Sequence, residues 1–342
     1  MSYKNILVSI VANLGDVIFS TATAPLIKNY YPEAKITFLV RASLAPVLYN
    51  HPYIDDVIPF DYKSSGDYLA TIRLAKVLKK QKFDLSFSLC NRLRSDLAIW
   101  LAGVEKRVGP GTLWNEKKSS NLFFTNNTPL SFSKETSQYI NLQKIIKYFA
   151  NDLASNNYQH PIIGIPQADL LEKACHLTKK DPQKINLALC VKAEHADKNW
   201  DVEKFSQTIS LLGEKYPLNA YIVGMPSDID YAEEIISRSS SPIKNLCGKT
   251  SLVDLSAVLA SSNLLLSIDN GTAHLASALN IPVVCIYTNT SPLTAPPLSK
   301  NSACVNIDRL TEYENLKENE KVIITVDEVA SATERVIDSL SI

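Results

Sequence analysis

Glycine is scarce in this chain, at 10 of 342 residues, less than half of its share in an average soluble protein (about 7%). The phosphate-binding motifs G-x-G-x-x-G and G-x-x-x-x-G-K-[ST] do not occur, and neither do the catalytic motifs H-E-x-x-H and G-x-S-x-G. Dinucleotide-dependent oxidoreductases and P-loop enzymes are therefore disfavoured, because their phosphate loops need glycine at fixed positions.

The chain also lacks an excess of charge of one sign and a long apolar run. It has 35 basic and 35 acidic residues, so its net charge gives no long-range attraction to nucleic acid or to anionic lipid, which leaves only local patches. No stretch reaches the roughly 18 consecutive apolar residues of a transmembrane helix, and the N-terminus has no signal-peptide pattern. Six scattered cysteines without a C-x-x-C pair disfavour a disulfide framework or a zinc site. We expect a cytoplasmic protein with no metal site and no nucleic-acid partner.

What the sequence does contain is an alternation of short apolar segments with helical segments, which is typical of βαβ units and a parallel sheet. Its length exceeds what one hydrophobic core usually supports. We therefore predict an α/β fold with two doubly wound parallel-sheet domains, 1–165 and 166–342, that face each other across a ligand-binding cleft. The last helix is expected to belong to the second domain. Packing of this helix against the first domain is the alternative.

The predicted elements follow from apolar periodicity and from turn residues. The strands are expected at 5–11, 35–40, 56–60, 83–89, 185–191, 219–223, 244–247, 264–268 and 283–287. The helices are expected at 17–30, 68–80, 96–103, 136–153, 202–216, 228–239, 252–261, 272–280 and 326–340. The alternation of strands and helices becomes less regular between about residues 111 and 183, and the domain boundary is expected between residues 155 and 185.

The first informative strand–helix junction is Asn13-Leu14-Gly15-Asp16, which follows the first predicted strand. Gly15 permits a tight turn, and Asp16 then falls in the first helical turn at the carboxyl edge of the sheet. A carboxylate at this position can accept a proton from a sugar hydroxyl. The alternative is a capping role, in which Asp16 satisfies free N–H groups and the helix dipole.

The second informative junction is Asp269-Asn270-Gly271-Thr272, which connects a buried strand to a helix. Unpaired N–H groups of Asn270, Gly271 and Thr272, together with the helix dipole, predict an anion-binding site. Asp269 can accept hydrogen bonds from sugar hydroxyls instead. His274, one turn into the helix, is either a ligand-binding residue or a structural hydrogen-bond donor.

Basic side chains follow two further strands. Lys198 lies in a polar loop, where it could neutralise a diphosphate leaving group, and the alternative is a solvent-facing lysine beside a packing Trp200. Arg92 and Arg94, with Arg107 slightly later in the chain, could recognise an anionic acceptor, since arginine forms bidentate contacts with carboxylate or phosphate. Ordinary surface arginines are the alternative here.

Five segments, in order along nearly the whole chain, resemble the heptosyltransferase family (glycosyltransferase family 9), which builds the inner core of lipopolysaccharide in the Gram-negative envelope. They are LGDV with YPEAKI (14–17 and 31–36), WLAGV with RVG (100–104 and 107–109), LCGKTSL (246–252), DNGTAHLASALNIP (269–282) and APPLS (295–299). The last segment resembles the second heptosyltransferase subgroup in particular.

The resemblance implies a GT-B fold, in which a first Rossmann-like domain holds the acceptor and a second holds the nucleotide-sugar donor. Carried over by position, Asp16 resembles the general base that deprotonates the acceptor hydroxyl. Lys198 matches the lysine that holds the donor diphosphate, and Asp269 matches the residue that binds donor sugar hydroxyls. The remaining donor-binding candidates are Asp228, which matches an acidic position near the adenosine ribose, Asn270, Gly271 and Thr272, which match the phosphate cradle, and His274. The expected acceptor-binding residues are Asn13, Arg92 and Arg94.

The implied reaction is an inverting, metal-independent transfer from ADP-heptose or a related nucleotide sugar, without a cofactor, to a lipopolysaccharide core acceptor. Because that acceptor is membrane-embedded, peripheral contact with the inner face of the inner membrane is expected. The chain departs from the family pattern at Asn270, where Ser or Thr is usual, and at 287–290, which lacks the usual glycine. Two alternatives stay open: a non-catalytic nucleotide-sugar-binding relative, which the lost glycine motivates, and a nucleotide-sugar epimerase, which shares the two-domain layout.

Overall fold

The computed structural model describes residues 3–61, 67–111, 122–129, 136–314, 316 and 320–340. The chain divides into two compact units, Met1–Gly164 and Ile165–Ile342. Each unit contains a six-stranded sheet, and all neighbouring strands described in both sheets are parallel. The predicted α/β class with two doubly wound sheets is confirmed.

The first unit alternates strands with helices along the chain. Its strands are β1 (Asn5–Ile10), β2 (Lys35–Arg41), β3 (Asp56–Phe60), β4 (Leu85–Ser88), β5 (Lys106–Pro110) and β6 (Asn126–Thr128). Its helices are α1 (Leu14–Ser20), α2 (Thr23–Tyr30), α3 (Tyr68–Gln81), α4 (Leu93–Leu101) and α5 (Gln138–Phe149), with a 3₁₀ segment at Ala42–Leu48. Leu7 of β1 and Leu39 of β2 share one buried cluster with Leu74 and Leu78 of α3 and Ile99 of α4, so α3 and α4 cover the same face of the sheet.

The strand order of the first sheet is β3-β2-β1-β4-β5-β6. The chain therefore builds outward from β1 to β3, returns past β1 to β4, and builds outward again in the other direction. In open sheets of this kind, ligands bind outside the carboxyl ends of the strands at the point where the order reverses, which here lies between β1 and β4. Asp16 follows β1 and Arg92 follows β4, so both candidates lie at this edge.

The second unit repeats the same plan. Its strands are β7 (Ile185–Cys190), β8 (Leu218–Ile222), β9 (Ile243–Asn245), β10 (Leu264–Ile268), β11 (Val283–Ile286) and β12 (Ala303–Cys304). Its helices are α6 (Ala168–Thr178), α7 (Val202–Lys215), α8 (Ile229–Arg238), α9 (Leu252–Ala260), α10 (Gly271–Ala278), α11 (Leu310–Glu314) and α12 (Val326–Asp338). The order β12-β11-β10-β7-β8-β9 places the reversal between β7 and β10, and α12 packs against α7. Lys198 follows β7 and Asp269 follows β10, so this pair of candidates also lies at a reversal point.

The predicted single helix over 17–30 is wrong, because the structure has two helices, α1 and α2, with a break at Thr21 and Ala22. The buried hydroxyls of Ser20 and Thr21 donate to the carbonyls of Val17 and Ile18, at 2.6 and 2.7 Å, and such bonds compete with the helical backbone pattern. Pro25 has no N–H to continue a helix that began at residue 14, but it is tolerated in the first turn of a new one.

In the part of the chain that the structure describes, no helix is both long and apolar enough to cross a membrane.

His51 holds the chain before β3 to the last segment of the first unit. Its buried ring accepts the backbone N–H of Tyr53 at Nδ1 (3.1 Å), and its Nε2 lies 3.0 Å from the carbonyl oxygen of Ile162. These partners require a neutral ring that donates through Nε2. Burial lowers the pKa of His51 to about 4, although the Ile162 carbonyl acts in the opposite direction.

This environment predicts a pH dependence of stability. An unfolded histidine has a pKa of about 6.5, so between about pH 6.5 and pH 4 the unfolded chain binds more protons and stability falls as the pH is lowered. We expect His51→Gln to reduce this acid-side loss of unfolding free energy by up to about 3 kcal/mol, measured by urea unfolding at a series of pH values. The exposed His195, changed to Gln, controls for the loss of one histidine. Parallel pH profiles for wild type and His51→Gln would contradict this prediction.

Candidate active site

The first-unit junction lies directly beyond β1. The exposed Asn13 is the N-cap of α1, and its carbonyl accepts the N–H of Val17 at 3.0 Å. Asp16 is half-buried in the first turn of the helix. The tight turn expected at Gly15 is not there, because Gly15 is helical and the bend falls at Ala12. The structure therefore presents Asp16 from the start of a regular helix at the reversal point of the sheet.

Charged groups from two neighbouring strand ends act on one buried thiol at this edge. Burial of the thiol and the negative charges of Asp96 and Asp16 raise the pKa of Cys90 to about 12, and the backbone of Val11 and the positive charge of Arg92 oppose this shift. Asp16 and Arg92 thus both act on the same thiol, as expected from their positions after β1 and β4. Arg92 is exposed at the N-cap of α4. Its guanidinium is therefore accessible to an anion at this edge.

The other two arginines of the predicted basic cluster are held in different ways. The guanidinium carbon of Arg94 lies 5.9 Å from the ring centroid of Tyr68 at the start of α3. Arg107 donates to the backbone carbonyls of Phe123, at 2.6 Å, and of Val104. Arg107 therefore fixes the backbone around β5, and Arg92 and Arg94 are the arginines left as acceptor-binding candidates.

A buried carboxylate forms the centre of the second-unit junction. Oδ2 of Asp269 accepts hydrogen bonds from Nζ of Lys198 at 2.6 Å and from Oγ1 of Thr290 at 2.7 Å. Nε2 of His274 lies 3.5 Å from Oδ1 of the same carboxylate. Lys198 keeps about a quarter of its side-chain surface exposed (25%), whereas Asp269 and His274 are buried. The structure therefore joins Lys198 to Asp269 and His274, which the sequence placed together in a different motif.

The positive neighbours keep this carboxylate ionised. Burial alone would raise the pKa of Asp269, but the hydrogen bond and charge of His274, together with the charge of Lys198, hold it well below its usual range. A buried, ionised carboxylate beside a lysine and a histidine, with a remaining oxygen lone pair, is suited to accepting hydrogen bonds from hydroxyl groups. The partly exposed ammonium group of Lys198 is suited to an anion.

Asn270 acts as the N-cap of α10. Its Oδ1 accepts the N–H groups of Thr272 and Ala273, at 2.9 and 3.1 Å, and asparagine is among the strongest capping residues. The expectation of an unpaired amide at Thr272 is therefore wrong, because the side chain of Asn270 already satisfies that donor. Gly271 is the first residue of α10, where the positive end of the helix dipole lies.

Asp228 closes the loop that follows β8. Its Oδ2 accepts the N–H of Met225 at 2.8 Å, and its Oδ1 lies 3.2 Å from Nζ of Lys192. A Cβ at Gly224 would come within 2.9 Å of Oδ2, so a larger residue there would require the carboxylate of Asp228 to shift. Asp228 thus lies two strands away from Asp269, beside the end of β7, and pairs with a lysine that the sequence analysis did not single out.

A family model described as glycosyltransferase family 9 (heptosyltransferase) matches residues 71–323 of this chain. The chain belongs to this family. It is therefore a glycosyltransferase, as the five sequence segments predict.

Individual relatives are similar to this chain over most of its length. The lipopolysaccharide core heptosyltransferase OpsX of Haemophilus influenzae is 23% identical over 318 residues, which cover 89% of this chain and 84% of the relative. Lipopolysaccharide heptosyltransferase 2 of Escherichia coli is 25% identical over 325 residues, with 90% and 88% covered. The solved structure of the E. coli ADP-heptose lps heptosyltransferase II matches with a TM-score of 0.80 at 20% identity, covering 98% of this chain and 99% of that chain. This likeness confirms the predicted GT-B type of fold.

In this family 9 member, the residues that sequence reasoning missed lie in the loop after β11. Thr290 bonds to Asp269, Thr288 donates to the carbonyl of Asp197 at 3.1 Å, and Nδ2 of Asn289 donates to the carboxylate of Asp197 at 2.5 Å. The loop thereby connects Asp269 to the segment that carries Lys198. The sequence contains a signal for these residues, because polar side chains that directly follow β11, the strand beside β10, reach the same edge of the sheet. The comparison with the family pattern indicates only that the usual glycine is missing there.

The contact of Thr290 with Asp269 predicts a difference between two substitutions. Thr290→Val removes the only hydroxyl donor described on Oδ2 and is expected to cost about 1–3 kcal/mol of unfolding free energy, because a buried acceptor loses a partner. Thr290→Ser keeps the hydroxyl and should stay close to wild type. Urea unfolding of the three proteins measures this difference, and equal stability of the valine and serine variants would show that the hydrogen bond contributes nothing.

Proposed function

We propose that this enzyme transfers a heptose, or a related sugar, from an ADP-sugar to a lipopolysaccharide core acceptor, with inversion at the anomeric carbon and without a metal ion. The observation that carries the proposal is the ionised Asp269 between Lys198 and His274 at the reversal point of the second sheet. Relatives over most of the chain are named lipopolysaccharide heptosyltransferases, and a structural neighbour is named for ADP-heptose.

The donor side of the proposal rests on the second-unit junction. Lys198 supplies a partly exposed ammonium group for the diphosphate, and the N-terminus of α10 adds the positive end of a helix dipole beside it. Asp269 binds hydroxyl groups of the donor sugar. Asp228, beside the end of β7, is the proposed contact for the adenosine ribose. Together these groups orient the donor and neutralise the charge of its leaving group.

The acceptor side of the proposal rests on the first-unit junction. Asp16 takes the proton of the acceptor hydroxyl while the hydroxyl oxygen attacks the anomeric carbon. The bond from that carbon to the diphosphate oxygen breaks on the opposite face, so that the configuration inverts and ADP leaves with the bonding electrons. Lys198 compensates the charge that develops on the leaving oxygen, a role that a metal ion has in other transferases. Asn13, Arg92 and Arg94 are the proposed acceptor contacts around Asp16.

The proposed reaction also suggests where the enzyme works. A lipopolysaccharide core acceptor is anchored in a membrane, and a nucleotide-sugar donor is a cytoplasmic compound. We therefore place the enzyme in the cytoplasm, in peripheral contact with the inner face of the inner membrane.

The role of Asp16 is tested by substitution. We expect Asp16→Asn to lower kcat by about 10²–10⁴-fold, the usual contribution of a general base, with little change in donor binding. The assay contains ADP-heptose, a truncated core acceptor and EDTA, so that it also tests metal independence. Glu33→Gln, which changes an exposed acid of the same unit, is the matched control.

The outcomes of this assay separate the competing functions. Full activity of Asp16→Asn, or loss of wild-type turnover on addition of EDTA, would contradict the proposed mechanism. Conversion of the donor without any acceptor would indicate an epimerase. Donor binding without transfer to any acceptor would indicate a non-catalytic relative.

The role of Lys198 is tested by donor binding. We expect Lys198→Met to weaken binding of ADP-heptose by about 10–100-fold, because a hydrogen bond to a charged group contributes about 1.5–3 kcal/mol. Calorimetry with ADP-, UDP- and GDP-sugars measures this loss and also identifies the nucleotide. Lys180→Met, at an exposed position of the same unit, is the control. Equal affinity of the wild type and Lys198→Met would remove Lys198 from the donor site.

A further inference from the structure

Helix α4 has apolar side chains on its solvent face as well as on its buried face. Ala98 and Ile99 are buried against the sheet, yet Trp100 and Leu101 expose 48% and 44% of their surface and Leu93 is exposed as well. Leu93, Trp100 and Leu101 are spaced i, i+7 and i+8, so they lie on one side of the helix. Large apolar side chains grouped on the solvent side of a helix are a mark of an interaction surface.

Helix α3 packs beside α4 and extends this exposed apolar side. Leu69 exposes 68% of its surface, and Tyr68 and Ile72 are exposed as well. The guanidinium of Arg94 in α4 lies over the ring of Tyr68 and joins the two helices at their N-termini. The apolar side chains therefore form one area across both helices, larger than the single exposed residues that are normal on a protein surface.

Within helices α3 and α4, the exposed charged residues beside these apolar groups are basic. Helix α3 carries Arg73, Lys76, Lys79 and Lys80, all exposed, and no acidic residue. The single acid of α4, Asp96, is buried. This local excess contrasts with the chain as a whole, which has 35 basic and 35 acidic residues. We call this surface the α3–α4 face, and its central residues are Leu69, Ile72, Lys76, Lys80, Trp100 and Leu101.

We propose that the α3–α4 face binds the surface of an anionic phospholipid bilayer. Leucine and isoleucine side chains insert at the boundary between headgroups and acyl chains, tryptophan and tyrosine prefer the same depth, and lysines are attracted to anionic headgroups. Arg92, at the N-cap of α4, lies at the edge that carries Asp16. A bilayer on this face therefore lies next to the proposed acceptor contacts. The role of membrane binding in the reaction rests on the proposed function, but membrane binding itself can be measured without catalysis.

A second copy of the chain fits this surface less well. In a two-fold symmetric dimer the same patch lies on both sides, so Lys76 and Lys80 would meet like charges, which is unfavourable at close range. An anionic bilayer instead offers apolar and negative groups together, which complements both components of the face.

The experiment measures binding of the full chain to vesicles of phosphatidylcholine with and without phosphatidylglycerol, by co-sedimentation at low and high salt. We expect binding to the anionic vesicles that weakens with salt. Each lysine near an anionic surface contributes about fivefold in partitioning, so Lys76→Glu with Lys80→Glu should lower it by at least about 25-fold. Leu69→Ser with Ile72→Ser should lower it by at least about tenfold.

Control variants test whether binding depends on the α3–α4 face or on any exposed lysine or apolar residue of the chain. Lys180→Glu with Lys300→Glu changes two exposed lysines of the second unit, and Ile165→Ser changes an exposed isoleucine; both should bind like wild type. In addition, brominated lipid should quench the tryptophan fluorescence of bound wild type, and Trp100→Phe should lose most of that quenching.

Several outcomes would overturn the proposal: no binding of wild type at low salt, equal loss in the control variants, or unchanged binding of the Lys76→Glu, Lys80→Glu protein. A concentration-dependent dimer that Leu69→Ser with Ile72→Ser abolishes, without vesicle binding, would assign the face to self-association and overturn it as well. Failure here is distinguishable from failure of the proposed function. Transfer to a water-soluble truncated acceptor does not require the face, so turnover without vesicle binding would reject only the membrane contact, and vesicle binding without turnover would reject only the reaction.

Discussion

The ionised carboxylate of Asp269 is the constraint on which the proposed donor-side site depends. A buried carboxylate is unfavourable unless it is paired and hydrogen-bonded, and Asp269 has a lysine, a histidine and a hydroxyl around it. Each partner comes from a different segment: Lys198 from the loop after β7, His274 from α10 and Thr290 from the loop after β11. The carboxylate of Asp269 therefore connects the loops after β7 and β11 to the start of α10 at the edge of the second sheet.

The sheet topology, which is the same in both units, explains why the candidate site residues of each unit lie at the point where the strand order reverses. In each sheet the chain starts at an inner strand, builds outward, and returns to build in the opposite direction. The loops after the two inner strands then diverge and leave an opening at the carboxyl edge. Asp16 and Arg92 flank that opening in the first unit, and Lys198 and Asp269 flank it in the second.

Much of this could be predicted from the sequence, and the failures have identifiable physical causes. The strands β1, β3 and β10 are runs of apolar residues whose own composition defines them, and their predicted bounds agree with the structure to within one residue. The strand β6 is Asn126-Asn127-Thr128, which forms a strand only because β5 offers free backbone groups beside it. The hydroxyl of Thr290 was missed for a similar reason, since its role depends on Asp269, 21 residues earlier in the chain.

The way in which Asp269 is held bears on how a donor could enter. In the proposed reaction Lys198 must turn part of its charge from Asp269 to the diphosphate, and a buried carboxylate that lost its only partner would be strongly destabilised. Here Oδ2 of Asp269 keeps the hydroxyl of Thr290, and Oδ1 keeps His274 beside it. The carboxylate thus remains compensated while the ammonium group is shared. The hydroxyl of Thr290, in the loop that lacks the glycine expected from the family pattern, would therefore keep Asp269 hydrogen-bonded while Lys198 took up its proposed role at the diphosphate.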